Sequence, residues 1–141
     1  MKAHHLFETA LYVDDLATAE RFYVEVLGLE VQSRFPGRGL SLRCDSGVLL
    51  LFDPAVTRVR SSALPAHGAV GAGHIAFLAT AEELPAWRDQ LAAHGVAIEE
   101  EIDWEEGGRS IYFRDPAGNS LELAPPNLWG WLARGGKATS A

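Results

Sequence analysis

The chain has 141 residues, 48% of them hydrophobic and 22% charged, which is the balance of one folded domain and excludes a disordered or fibrous segment. Nineteen acidic against twelve basic residues give a net charge of −7; the Lys and Arg are scattered, which argues against nucleic acid or an anionic membrane surface as partner. The single cysteine, Cys44, allows no internal disulfide, and residues 1–5 lack the apolar run of a signal peptide or spanning helix, so a cytoplasmic protein is expected.

In chain order, residues 7–13 are rich in strand formers, with Phe7, Leu11 and Val13 on one parity. Leu16, Ala19, Phe22, Tyr23, Val26 and Leu27 then recur at helical spacing, with Asp14 or Asp15 as cap and Gly28 as the left-handed terminator. Strands are expected at 30–35, 40–44 and 48–52, separated by turn chemistry at Pro36-Gly37 and Asp45-Ser46-Gly47. Residues 53–73 carry Pro54, Pro65, Gly68, Gly71 and Gly73 without a period and are expected to be a linker. The pattern then restarts. His74–Ala79 is a strand, Thr80-x-x-Glu83 a capping box, Leu84, Trp87 and Leu91 a helical stripe closed by Gly95, and 98–102, 110–114 and 120–124 are three more strands.

The two halves are copies of one unit. Residues 8–13 (ETALYV) lie over 74–79 (HIAFLA), and 47–52 (GVLLLF) over 118–123 (GNSLEL), with Leu50 falling near Glu122. The expected fold is α+β, two tandem βαβββ modules forming cupped mixed sheets. Module 1 is 4–54, the linker 55–73 and module 2 74–128, together one domain over 1–128. Residues 129–141 are an aromatic segment, with Trp129 and Trp131, and a tail from Arg134 expected to be disordered.

Strand residues alternate faces, so a helix-packed face leaves the residues of opposite parity on the other side. Glu8, Ala10 and Tyr12 share that side in module 1. In module 2 it holds His74 and Ala76, Ser110 and Tyr112, and Ser120, Glu122 and Ala124. Glu8, His74 and Glu122 are then three candidate metal ligands among small neighbours. Two carboxylates and one imidazole suit Fe(II), Mn(II), Zn(II) or Ni(II), and three protein ligands leave positions open for substrate. The plainer alternative is two solvated carboxylates and a structural histidine.

Residues 22–30 (FYVEVLGLE) and 112–123 (YFRDPAGNSLEL) resemble the two hallmark segments of the vicinal oxygen chelate superfamily, which includes glyoxalase, bleomycin-resistance and extradiol-dioxygenase proteins. The likeness covers 4–128, one segment per module. It implies ligand positions on the first and last strands of each module, here Glu8, Leu50, His74 and Glu122, of which three can bind one divalent ion per site. Glu8 departs from the usual His or Gln, and Leu50 replaces the fourth ligand of glyoxalase I and epimerase relatives. Placement at three positions resembles the extradiol dioxygenases. The resemblance also implies a homodimer whose sites combine Glu8 of one chain with His74 and Glu122 of the other, within-chain pairing being the rival. Fosfomycin-resistance relatives need basic groups around a phosphonate, whereas residues 102–106 are apolar and acidic, so that substrate is expected to be excluded.

The resulting expectation is a metal-dependent small-molecule enzyme, a lyase or isomerase or a ring-cleaving dioxygenase, with Glu8 and Tyr112 as catalytic residues. Tyr12, Leu42, Leu50, Trp104, Ser110 and Trp129 are the expected substrate contacts, with Leu40 and Phe52 adding to an apolar lining. Arg109 and Arg114 are candidates for holding a substrate carboxylate, or are solvated turn residues. His67 is a candidate extra ligand or proton shuttle, Cys44 a core residue, and His4, His5 and His94 carry no assignment. The alternative is a metal-free protein of the bleomycin-resistance type that sequesters a drug or metabolite.

Overall fold

The computed structural model describes residues 1, 3, 5–45, 47–60, 64–105 and 107–130. His4, Trp131 and the tail from Arg134 lie outside the described residues. Two four-stranded mixed sheets carry the duplicated βαβββ pattern. The first comprises β1 (Glu8–Tyr12), β2 (Glu30–Phe35), β3 (Gly39–Cys44) and β4 (Gly47–Phe52) in the order β1-β4-β3-β2. The second comprises β5 (His74–Leu78), β6 (Ile98–Asp103), β7 (Arg109–Arg114) and β8 (Ser120–Ala124) in the order β5-β8-β7-β6. In each sheet the first and last strands pair in parallel and the rest antiparallel. The chain divides into unit 1, Met1–Gly73 with Asp115–Asn119, and unit 2, His74–Arg114 with Ser120–Ala141. No helix among the described residues is long and apolar enough to cross a membrane.

In unit 1, α1 (Leu16–Arg21) starts where the Asp15 carboxylate accepts the Thr18 backbone N–H at 3.0 Å. The sequence predicts one helix through Leu27; instead residues Phe22–Val26 form a π-helical turn, closed by Leu29 N–H donating to the Tyr23 carbonyl at 3.0 Å. Successive side chains of a regular helix point about 100° apart, whereas here the neighbours Phe22 and Tyr23 are both buried, edge to face at 5.4 Å. Gly28, at φ 70°, turns the chain into β2. The helix packs on β3 and β4, whose Leu40, Leu42, Leu49 and Leu51 form the core with Leu11.

Two local expectations fail in unit 1. Phe7 is 69% exposed, because β1 begins only at Glu8 and Phe7 contributes a carbonyl to the Val48 N–H rather than a side chain to the core. The linker holds a short helix, α2 (Pro54–Thr57), nucleated by Asp53 capping the Ala55 N–H at 2.8 Å and by Pro54 in its first turn.

The segment Asp115–Asn119 closes unit 1 with a buried polar knot. The Tyr23 hydroxyl donates to Asp115 at 2.9 Å, the Asn119 N–H and side-chain amide each donate to Asp115 at 2.8 Å, and Asn119 Oδ1 accepts the Gly73 N–H at 2.8 Å. Burial, and then the Asp115 charge, push the Tyr23 phenol far above its ordinary pKa. In unit 2, Glu83 caps Thr80 N–H at 2.7 Å ahead of α3 (Leu84–Ala93), whose Leu84 and Leu91 are buried. Gly95 at φ 67° ends it. Ile111, Phe113, Leu121 and Leu123, all fully buried, form that sheet's core face.

Candidate functional site

The opposite face of the second sheet is polar. Its register pairs His74 with Ser120, Ala76 with Glu122, and Tyr112 with Glu122, so these side chains stand on one side. Glu122 is only 4% exposed. A buried carboxylate needs partners, and it has three: Ser110 Oγ donates at 2.5 Å, the Tyr112 hydroxyl donates, and His74 Nε2 lies 3.4 Å from Oε2. Trp104 donates its indole N–H to Ser110 Oγ at 2.8 Å, which turns the serine proton towards Glu122. Burial pushes the Tyr112 phenol up to about 12, with the hydrogen bond to Glu122 and its charge adding to the effect.

His74 is oriented by the backbone. Its Nδ1 lies 3.1 Å from the Ser120 carbonyl, which only accepts, so Nδ1 carries the proton and Nε2 faces the carboxylate. In the neutral ring, an imidazole lone pair and a carboxylate oxygen then confront each other at 3.4 Å. A proton or a metal ion between them resolves that repulsion. A carbonyl acceptor on the far nitrogen is also the usual support of a metal-binding histidine. His74 and Glu122 are thus two donors of the kind a divalent cation takes.

Unit 1 offers a different surface on the matching face. Glu8 pairs with Val48 and Ala10 with Leu50, so Glu8 occupies the position of His74, and Leu50 that of Glu122. Glu8 is exposed, and with Ala10, Leu50 and Phe52 it borders a largely apolar cavity of about 580 Å³. Among the described residues no three His, Cys, Asp or Glu side chains converge; His74 and Glu122 are together in unit 2 and Glu8 stands in unit 1.

The remaining sequence candidates separate clearly. Leu42, expected to line the cavity, is fully buried on the opposite face, because β3 pairs Leu42 with Leu49 and places Ser41 opposite Leu50. Leu40, opposite Leu51, is core for the same reason. Tyr12 hydrogen-bonds His67 Nδ1 at 2.9 Å. Trp129 is 64% exposed. Arg109 is forked onto Asp103 at 2.7 Å and Arg114 onto Glu99, both exposed pairs of unit 2. Cys44 is half-buried at the end of β3, its thiol pKa raised by burial. Sequence reasoning missed Asp115 and Asn119 as the knot of unit 1, and Arg38, whose side chain reaches the unit 1 cavity. The DPxGN string signals the first two, but nothing local signals Arg38.

Comparison with known proteins agrees with this geometry. Residues 3–123 match the Glyoxalase/Bleomycin resistance protein/Dioxygenase superfamily. A lactoylglutathione lyase from Agrobacterium tumefaciens is similar at 41% identity and TM-score 0.88, covering 92% of this chain and 99% of that one. Glutathione transferase FosA of Serratia marcescens is 34% identical over 127 residues, 87% of this chain and 82% of the relative. The fosfomycin resistance protein FosX of Listeria monocytogenes shares the fold, at 22% identity and TM-score 0.71, over 95% of this chain and 99% of that one. Two sheets of β1-β4-β3-β2 type, a paired His and Glu on the first and last strands of the second, and this match over nearly the whole described chain lead to one assignment: the chain belongs to the glyoxalase/bleomycin resistance protein/dioxygenase superfamily.

Proposed function

We propose that the chain is a metal-dependent enzyme of lyase or isomerase type acting on an apolar or aromatic small molecule. The observation that carries this is the His74–Glu122 pair, with Nδ1 occupied by the Ser120 carbonyl and Nε2 turned to the carboxylate. Superfamily members generally use a divalent metal and bind small molecules, often as dimers. Similarity to a lactoylglutathione lyase at 41% identity supports lyase chemistry ahead of ring cleavage. His74 and Glu122 would hold the ion, and Glu8 would supply the third donor from a second copy of the chain. Fe(II), Mn(II), Zn(II) and Ni(II) all suit that donor set.

When bound, the ion supplies Lewis-acid stabilisation of negative charge developing on substrate oxygens. The protein's own groups divide the remaining tasks. Tyr112, holding its proton up to about pH 12, is a hydrogen-bond donor throughout the physiological range. Ser110 and Trp104 fix the Glu122 carboxylate in one rotamer. Glu8, exposed on β1, would accept a substrate proton only when displaced from the ion. Residues 102–105 carry no basic side chain, so we do not assign a phosphonate substrate.

The test is metal content after purification without chelators, followed by mixing Glu8→Ala with Glu122→Ala protein under subunit exchange. Close to one ion per chain, lost in each variant and partly restored on mixing, is the expected result. Restoration by mixing requires sites shared between chains; a monomer, or variants that do not complement, sinks the shared site. Leu50 at the fourth ligand position and the apolar cavity beside it favour the second reading, a sequestering protein. Substoichiometric metal even after reconstitution would select it.

A further inference from the structure

The unit 1 cavity has one apolar wall and two charged ends. Ala10, Leu50 and Phe52 make the wall; Glu8 stands on β1, and Arg38 on the β2–β3 turn. The backbone of Arg38 is pinned on both sides, its N–H donating to the Phe35 carbonyl at 2.9 Å and its carbonyl accepting the Asp53 N–H at 3.0 Å. The side chain is half-buried, its guanidinium carbon 5.7 Å from the centroid of the Phe52 ring. Two other arginines of unit 1 are neutralised locally, Arg34 forking onto Glu20 and Arg43 pairing with Glu30, while Arg21 and Arg58 donate to the neutral oxygens of Thr18 and Ala69. Arg38 meets no carboxylate among the described residues. Its only polar side-chain neighbour there is His67, whose Nε2 lies 3.5 Å away, at the outer edge of a hydrogen bond.

That neighbour is itself fixed. The His67 N–H donates to the Thr57 carbonyl at 3.0 Å, its ring stands edge-on to Phe52 at 4.9 Å, and Nδ1 meets the Tyr12 hydroxyl at 2.9 Å. Guanidinium groups only donate, so with Nε2 accepting, the ring proton sits on Nδ1 and is given to the Tyr12 oxygen. His67 therefore braces Arg38 without neutralising it. A half-buried cation beside an aromatic ring, on a backbone pinned on both sides, keeps its fork of donors for something outside the chain.

We propose that Arg38 is the specificity-determining residue of this cavity and that the substrate is an apolar or aromatic molecule bearing one carboxylate, which Arg38 takes bidentately. Tyr12 and His67 are positioning residues. A single guanidinium balances one substrate carboxylate; a phosphate dianion would add a second, unbalanced negative charge to a cavity that already holds the Glu8 carboxylate. The volume of about 580 Å³ accommodates an aromatic body beyond the carboxylate. This inference rests on the proposed reading of the Glu8 face as the substrate face, but Arg38 belongs to unit 1 and the His74–Glu122 pair to unit 2, so the two can fail separately.

The experiment is titration calorimetry of the full chain with benzoate, phenylacetate and phenylbutyrate, each beside its neutral amide, plus phenyl phosphate. Metal-loaded and chelator-treated protein are both titrated. The expected result is a preference for carboxylate over amide of roughly 10- to 100-fold that survives chelation, so that it does not depend on the metal reading. Arg38→Ala should abolish the preference, and Arg38→Lys, which keeps the charge and the stem, should retain part of it. Equal binding of acid and amide, no binding of any aryl carboxylate, tighter binding of phenyl phosphate, or a preference untouched in both Arg38 variants would overturn the proposal.

Discussion

The two sheets are copies in topology and opposites in chemistry. Where the second sheet places His74, Tyr112 and Glu122, the first places Glu8, Ser41 and Leu50 at the same register positions. The backbone constraint is the same in both, parallel outer strands with small Ala10 and Ala76 beside the ligand positions. The chemical character differs on one face only, since the core positions Leu40 and Leu42 are matched by the equally apolar Ile111 and Phe113. The core parity stayed leucine-rich in both, with Leu49 and Leu51 matched by Leu121 and Leu123. A duplicated module can thus lose half its polar face without losing its fold, because packing and chemistry sit on opposite parities of the same strands.

The sharpest way to break this comparison is to exchange the equivalent residues. Glu122→Ala is expected to remove metal from the protein and lower any metal-dependent turnover by more than about 100-fold, whereas Leu50→Ala should leave metal content unchanged; elemental analysis of both variants decides. Parity itself is tested by two neighbours on β4. Leu51→Ala is expected to cost about 2–5 kcal/mol, and Leu50→Ala about 1 kcal/mol or less, read as shifts in urea unfolding midpoints. Equal costs would mean that the two faces are not distinct.

The phenols sharpen the contrast further. Tyr23→Phe leaves a buried Asp115 oxygen short of a donor and should cost about 1.5–3 kcal/mol. Tyr112, with its phenol raised from 10.0 to about 12, contributes stability that is complete below pH 10 and lost as pH rises towards 12. The stability difference between wild type and Tyr112→Phe should therefore shrink across that window and stay constant at neutral pH. The smallest effect is expected at the surface. Arg34→Ala and Arg114→Ala break exposed, solvent-screened pairs of unit 1 and unit 2 and should shift the urea unfolding midpoint least of all these variants. The Glu20 and Glu99 carboxyls are held below their ordinary range by those arginines, so the contribution is present at neutral pH and is lost as pH falls below that range through the lowered folded values.

Hydrophobic periodicity and the internal repeat made the fold legible, since the strand spans at 30–35, 74–78 and 120–124 follow alternation and turn residues that are local in the chain. The pairing of His74 with Glu122 was legible because both lie on strands whose parity the repeat fixes. Leu42 was not: its run, Gly39 to Cys44, is apolar at Leu40 and Leu42 and small at Gly39 and Ser41, so composition suggests a cavity wall while register makes it core. The Tyr12–His67 contact spans 55 positions and joins a strand to a loop, and no local pattern encodes it. The π-helical turn escaped for a related reason, being set by the burial of Tyr23 against Asp115, 92 positions away.

That long separation has a consequence for how the protein is made. Unit 1 is continuous to Gly73, yet its knot needs Asp115 and Asn119. At about 5–20 residues per second, the ribosome delivers those side chains several seconds after the first sheet has been translated. Through that interval the Tyr23 hydroxyl and the Gly73 N–H lack their partners, and the nascent first half waits in an unlatched form. The gene cannot be cut cleanly at the boundary of its own duplication, since the N-terminal half would be left without the residues that lock it.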